Sequence, residues 1–505
     1  MNQTTLSPSE SAKRVTFNVV CNAVSHFLSA VIVFVLTPFL VARVGLEAYG
    51  FYPIATEVIA LFSLFTGVVN ATAGRYVTVE AARGDAREAN RYFSTVFFSN
   101  VALCAVLLVP MGLFVAFLDG ILSVPAGLSG ELRLFFALTL STVPINALAS
   151  AFGSAYMISN RTDLRAGQDL IAVLLRAAVL LGLLGGGFSS SIVSVGIALA
   201  VSNGAGAAVQ ILMCRRLSPD LRVSLRAVSL AHGRRVVVSG FWYSLNRLGA
   251  FLMTGALLIL SNIVFSADRV GGYALSLTAS RFFSGILLML AGVLLPVTTR
   301  RFARGEQDLL RDGIVRNQKL TGYFAAVGVA VGIGFCDEFF TLWLGRDADP
   351  ALRILTILSL VPMVAVACAL PIVDLGMVMD RMRRLSLLFV GCGLLTLATI
   401  LAVSCFTKAG VVGVAAISCA AQLLWYALLV PIFAGRILAT DSLVFYRPLF
   451  KCTLAAAVSL GLIFLVKAAV PTDGWISFAV VLSLCAVMAL SVGFLCVFGR
   501  PKFKM

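Results

Sequence analysis

Stretches of roughly twenty apolar residues, each long enough to cross about 30 Å of hydrocarbon as a helix, recur along almost the whole chain. They lie near 15–42, 48–73, 92–117, 134–158, 168–187, 190–213, 236–262, 270–298, 320–336, 351–378, 385–406, 409–434, 446–466 and 475–498. An open segment in lipid can satisfy its own backbone only as a helix. The pattern therefore predicts an all-α polytopic membrane protein with about fourteen transmembrane helices. Composition agrees: 60% of the 505 residues are hydrophobic, 12% are charged, and mean hydropathy is +1.00, which is too little charge for a water-facing surface.

The first apolar run follows a polar segment ending in Lys13-Arg14. It is too long for a signal-peptide core and has no small-residue cleavage site, so it reads as a retained span. The eleven cysteines are scattered through apolar runs with no CxxC pair; this fits membrane packing better than a disulfide framework or a metal site. The net charge of +16 is not a nucleic-acid patch, because the basic residues sit in short loops between spans. Alternate loops divide them 29 against 7, and the richer set holds both termini, which the positive-inside rule places in the cytoplasm of a multi-pass cell (inner or plasma) membrane protein. The outer loops are short, 118–133 and 337–350 being the longest, so any chemistry must occur within the bilayer.

The chain also repeats itself. Arg43-Val44-Gly45-Leu46-Glu47-Ala48-Tyr49-Gly50 after the first span is answered by Arg269-Val270-Gly271-Gly272-Tyr273-Ala274 after the seventh. Ala82-Arg83-Gly84-Asp85 after the second is answered by Ala303-Arg304-Gly305-Glu306 after the eighth. Order, side of the membrane and spacing all match. Six spans per unit is an even number, so the copies share orientation and are related about the membrane normal. The organisation expected is a cytoplasmic tail at 1–14, an N-lobe at 15–235 (spans 1–6), a C-lobe at 236–434 (spans 7–12), and an appended pair of spans with a cytoplasmic tail at 435–505.

Arg247 and Arg281 fall inside the seventh and eighth runs, each about 16 Å from the span's edge at 1.5 Å per residue. An arginine at that depth costs about 2.5–3.5 kcal/mol on insertion scales and persists where a cavity, a partner or a function compensates. Neither has an acid nearby in its own span, so the pair is suited to phosphate or carboxylate. Polar residues at helical spacing accompany them: Tyr243 and Asn246 on span 7, Asn22 and His26 on span 1, Asn70 on span 2. In the repeat, spans 1, 2, 7 and 8 are equivalent, and their stripes could line one cavity. The competing reading is structural, with Asn, Ser and Thr as interhelical hydrogen bonds and Arg247 paired with Glu57. Arg176 in span 5, two turns from Asp169, admits local pairing or substrate contact. Glu57 and Asp374 are candidate coupling carboxylates, and His26 is a packing residue or a proton relay.

The stretch Thr37-Pro38-Phe39-Leu40-Val41-Ala42-Arg43-Val44-Gly45-Leu46-Glu47-Ala48-Tyr49-Gly50 resembles the opening of the polysaccharide transporter branch of the multidrug/oligosaccharidyl-lipid/polysaccharide exporter superfamily. The likeness continues through Asp268-Arg269-Val270-Gly271-Gly272-Tyr273-Ala274, Leu295-Pro296, Arg300-Arg301 and Trp343-Leu344-Gly345, over about 12–434. It implies two six-helix lobes in a V-shaped arrangement. It also implies a flippase, not an enzyme, that moves a polyprenyl-pyrophosphate-linked oligosaccharide between leaflets by alternating access for cell-surface polysaccharide synthesis. On that reading Arg247 and Arg281 meet the pyrophosphate, the partners are the lipid-linked glycan, the bilayer, and a polymerase with other polysaccharide assembly proteins, and no nucleic acid or cofactor is involved. The coupling ion, H+ or Na+, is left open. Span 1 lacks both the arginines of lipid II flippases and the acidic residue of many drug exporters, which favours a glycolipid repeat unit. The alternatives are a cation-coupled small-molecule (drug) exporter of the same fold, built around a carboxylate such as Glu57, and a membrane glycan polymerase or ligase, which would need a large outer loop with catalytic Arg or His.

Overall fold

The apolar runs become helices, most of them longer than the runs that predicted them. The computed structural model describes residues 8–125, 127–185, 191–265, 272–277, 280–288, 290, 306–344, 350–379, 382–406, 410–470 and 474–499. Among these, twelve helices are long and apolar enough to cross a membrane, and a bent pair, Gln307–Gly334 with Cys336–Trp343, makes a thirteenth span. Of the eighth run, 270–298, residues 272–277, 280–288 and 290 are described, and all of them are helical. Large apolar side chains such as Val106, Phe406 and Ile476 are exposed on these helices, a surface stable against lipid tails and not against water. The chain is a multi-pass membrane protein.

Two compact units divide the chain: Met1–Phe251 with Asn262–Asp268, and Leu252–Ser261 with Arg269–Met505. The first is built from α1 (Pro8–Val44), α2 (Leu46–Ala82), α3 (Ala86–Ala116), α4 (Ser129–Leu140), α5 (Thr142–Ser150), α6 (Thr162–Leu180), α7 (Val193–Leu217) and most of α8 (Leu230–Met253). Short turns set the neighbours. Gly84, at φ +81°, takes the left-handed conformation that lets α2 turn into α3, and Asp85 then caps α3, accepting from Glu88 N at 2.9 Å.

Polar contacts fix α1 on α6: Asn18 Nδ2 donates to Asn160 O at 3.1 Å, Asn22 Nδ2 to Thr162 O at 3.4 Å, and Ser25 Oγ to Ala166 O at 2.6 Å. α8 meets α2 through small residues. A Cβ at Gly240 would land on the backbone carbonyl of Val68, and one at Gly67 would lie 3.1 Å from Ser244 Oγ; Tyr76 OH and Ser239 Oγ lie 2.8 Å apart on the same seam. Close backbone approach at glycines is the usual way membrane helices gain packing when lipid offers no hydrophobic drive.

The second unit is organised on α9 (Gln307–Gly334), which is flanked by α10 (Met363–Val378), α11 (Leu443–Ala469) and α12 (Trp475–Phe498). Gly322 sits against the sulfurs of Cys368 and Cys452, Thr321 Oγ1 donates to Ala367 O at 2.8 Å, and Tyr323 OH donates to Leu490 O at 2.9 Å. The appended spans 13 and 14 thus pack directly on the ninth. The ten described cysteines are free thiols, most of them buried, used here as small apolar fillers.

Candidate functional site

Arg247 is the central residue of the 35-residue stretch Leu230–Val264. Its guanidinium is exposed and is held from its own helix. Nη2 donates to Tyr243 OH at 3.0 Å, and the group lies 5.5 Å from the Tyr243 ring centroid, one turn away, as the i, i+4 geometry requires. Among the described residues of its own unit no carboxylate pairs with it. Asn246, its chain neighbour, has a buried Nδ2 without a hydrogen-bond partner among the described residues.

The other sequence-derived candidates divide between the two units. Asn22, His26, Glu57, Asn70 and Arg176 belong with Arg247 to the first; Arg281 and Asp374 belong to the second. Arg281 is exposed on the helical segment 280–288, and the side chain of Asp374 lies outside the described residues. The Asn22 amide is engaged in helix packing, donating to Asn18 O at 2.8 Å. His26 is exposed on α1, and Glu57 is half-buried on α2. Arg176 donates from Nε to Ser202 Oγ at 3.3 Å, tying α6 to α7.

Asn70 leads into a feature that the sequence reading did not assemble. A cavity of about 530 Å³ lies inside the first unit, between α2, α5 and its continuation to Ile158, α6 and α7. Its walls carry amides (Asn70, Asn146, Gln168, Asn203, Gln210), hydroxyls (Ser150, Ser154, Ser202) and three charges (Arg75, Arg165, Asp169). Helical spacing produces the convergence: Asn146, Ser150 and Ser154 follow at steps of four, as do Arg165 and Asp169.

The amides hold one another in place. Asn70 Oδ1 accepts from Asn100 Nδ2 at 2.8 Å and from Ser150 Oγ at 2.7 Å; Asn146 Nδ2 donates to Asn203 Oδ1 at 3.0 Å; Gln168 Oε1 accepts from Tyr156 OH at 2.6 Å; and Gln210 Nε2 donates to Ala149 O at 2.9 Å. Asn100 Oδ1 remains without a hydrogen-bond partner among the described residues. Such walls offer donors and acceptors on preset axes, the requirement for recognising hydroxyl-rich molecules. Among the described residues no group of His, Cys, Asp and Glu could hold a metal ion.

No family model matches the chain. A curated relative, the uncharacterized membrane protein EpsK of Bacillus subtilis (strain 168), is 24% identical over 477 residues, covering 93% of each chain. Among solved structures, an inward-facing multidrug resistance MATE family transporter of the MOP superfamily matches with a TM-score of 0.65 at 12% identity, over 83% of this chain and 94% of that one. The chain has the MOP-superfamily fold. The lipid II flippase MurJ in an inward closed conformation shares that fold at a TM-score of 0.59 and 12% identity, over 94% of this chain and 98% of its own. The MATE multidrug transporter DinF-BH shares it at 0.67 and 14%, over 88% and 98%. Among the described residues the secondary structure is helical with no strand, in keeping with that fold.

Proposed function

We propose that this MOP-fold protein is a flippase that carries a polyprenyl-pyrophosphate-linked oligosaccharide from the cytoplasmic to the outer leaflet, with both termini cytoplasmic and with 15–235 and 236–434 as the moving lobes. Arg247 carries the reading. A guanidinium in the middle of a span is expensive in hydrocarbon. Here it is exposed and held by a phenol from its own helix, an arrangement suited to a hydrated path and an anion. Arg binds the oxygens of a diphosphate in bidentate fashion, and Arg281 is the second cation assigned to it. The amide-lined cavity of the first unit supplies the hydroxyl-matching surface a glycan needs, and the lipid tail stays in the bilayer. Glycan polymerisation would fall to separate assembly proteins.

The test is lipid-linked glycan in an inner-leaflet accessibility assay. Arg247→Ala and Arg281→Ala should each accumulate the intermediate on the cytoplasmic side at normal protein level. Normal surface glycan in both variants would remove the anion site. Wild-type efflux of a lipophilic cation that disappears in Glu57→Gln, with glycan unaffected, would favour the drug exporter instead.

A further inference from the structure

The segment joining span 6 to span 7, residues 218–229, is not a slack tether. It is laid along α3 by five hydrogen bonds to three side chains, two each at Asn90 and Ser94 and one at Thr95. Asn90 donates to Asp220 O at 2.8 Å and accepts from Arg222 N at 2.8 Å. Ser94 donates to Arg222 O at 3.2 Å and accepts from Ser224 N at 3.1 Å. Thr95 accepts from Ser229 N at 3.1 Å. Beyond it, His232 Nε2 lies 2.8 Å from Glu88 Oε2. The strap is held by its backbone, and part of its apolar surface remains exposed: Leu225 is 74% exposed and Leu230, the first residue of α8, is 91% exposed, interleaved with Arg222, Arg226 and Arg234. Apolar residues alternating with arginines at a span's end are the composition of a membrane-interface segment.

The strap closes one end of a groove of about 780 Å³ on the first unit, distinct from the polar cavity. It is lined by Phe97 of α3, Ile145 and Leu148 of α5, Phe152 just beyond α5 and Ile211 of α7, all apolar, together with Leu221 and Val223 of the strap. Arg215 and Arg222, both exposed, also line it. An apolar trough with two guanidiniums at its interfacial end matches one class of molecule in charge and polarity.

We propose that this groove binds an anionic phospholipid from the leaflet on the arginine-rich side, one acyl chain lying against Phe97, Leu148 and Ile211 and the phosphate meeting Arg215 and Arg222. Bound there, the lipid fastens the strap that links the two sequence repeats. The site needs nothing from the flippase reading, and its test does not measure transport.

The experiment is native mass spectrometry of purified full-length protein, delipidated and then titrated with phosphatidylglycerol or with phosphatidylcholine. Wild-type protein should retain phosphatidylglycerol in preference to phosphatidylcholine. Arg215→Gln with Arg222→Gln should weaken that retention about tenfold or more, at roughly fivefold per interfacial arginine. Arg216→Gln, a neighbouring charge outside the groove, should leave it unchanged. Ile145→Trp, which fills the trough without touching a charge, should also reduce it, and an unchanged thermal transition verifies that each variant is folded. Wild-type retention in the double arginine variant, equal retention of the two lipids, or displacement by soluble glycerol phosphate as effective as by lipid would each overturn the proposal.

Discussion

Lys467 Nζ lies 2.6 Å from Glu338 Oε1 and donates at 2.6 Å to the carbonyl of Gly334. Gly334 ends α9 where the ninth span bends by 66° into Cys336–Trp343. A bend of that size strands carbonyls that a continuous helix would have satisfied. The ammonium answers one of them and gains from the helix's negative end. Its stem crosses Phe335, with Nζ 5.4 Å from the ring centroid. An appended span, α11, therefore supplies the cap for a break in the ninth, which gives spans 13 and 14 a structural reason to pack where they do.

Lys467→Met should consequently lower stability by about 2 kcal/mol, the size of a hydrogen-bonded charge pair that is mostly buried. Glu338→Gln, which leaves the carbonyl contact in place, should cost less. Thermal unfolding of the detergent-solubilised protein measures both. Equal transitions for wild type and Lys467→Met would show that the bend is held by packing alone.

The α2–α8 seam makes a sharper steric prediction. Gly240→Val places a side chain on the Val68 carbonyl and should cost about 3 kcal/mol or more, since neither backbone can yield without separating the helices. Gly112→Val, on α3 where a Cβ meets nothing within 4 Å, should be close to neutral. Expression level and thermal transition distinguish the two.

The spans were legible because length and apolarity are set directly by the bilayer, so composition alone locates them. The polar cavity was not. Asn146, Gln168 and Gln210 stand in three separate runs of the sequence, and only the pairing of helices far apart in sequence brings them to one volume. A polar period of four runs through Asn146, Ser150 and Ser154 on span 4 and through Arg165 and Asp169 at the start of span 5, and the fold turns it toward one volume. Arg176 shows the same limit: sequence offers Asp169, two turns away, as a neighbour, and the fold supplies Ser202 from α7.

Within the cavity, Asn70→Leu should be more damaging than Asn203→Leu. Asn70 Oδ1 is the shared acceptor of Asn100 and Ser150, so its loss leaves the buried Asn100 amide only the longer 3.3 Å contact to Ser150 Oγ, at about 1 kcal/mol or more; Asn203 bonds an exposed Asn146. Thermal shift should order the pair, and Asn70→Asp, which keeps an acceptor, should recover part of the loss.

Replacing the charge separately from its orientation tests Arg247. Arg247→Lys keeps a cation but loses the planar fork, so the proposed glycolipid flipping should fall by about tenfold without vanishing. Tyr243→Phe removes the 3.0 Å bond and leaves the ring under the guanidinium, for roughly a fivefold effect or less. If Lys and Ala behave alike, geometry outweighs charge at this position.

Asp119 gives a pH test outside the spans. Its carboxylate accepts from Ser129 Oγ at 2.7 Å and from Arg133, and these contacts, Ser129 first, hold its pKa below the ordinary 3.8. A depressed carboxylate stabilises the folded loop above its unfolded pKa, and that contribution disappears as pH falls through the lowered value. Protection of the amides in 118–133, measured as exchange relative to the intrinsic rate at each pH, should therefore stay high at neutral pH and fall only in strong acid. Ser129→Ala should shift the onset toward the ordinary carboxylate range, and Asp119→Asn should abolish the pH dependence. An onset unmoved by Ser129→Ala would assign the shift to Arg133 alone.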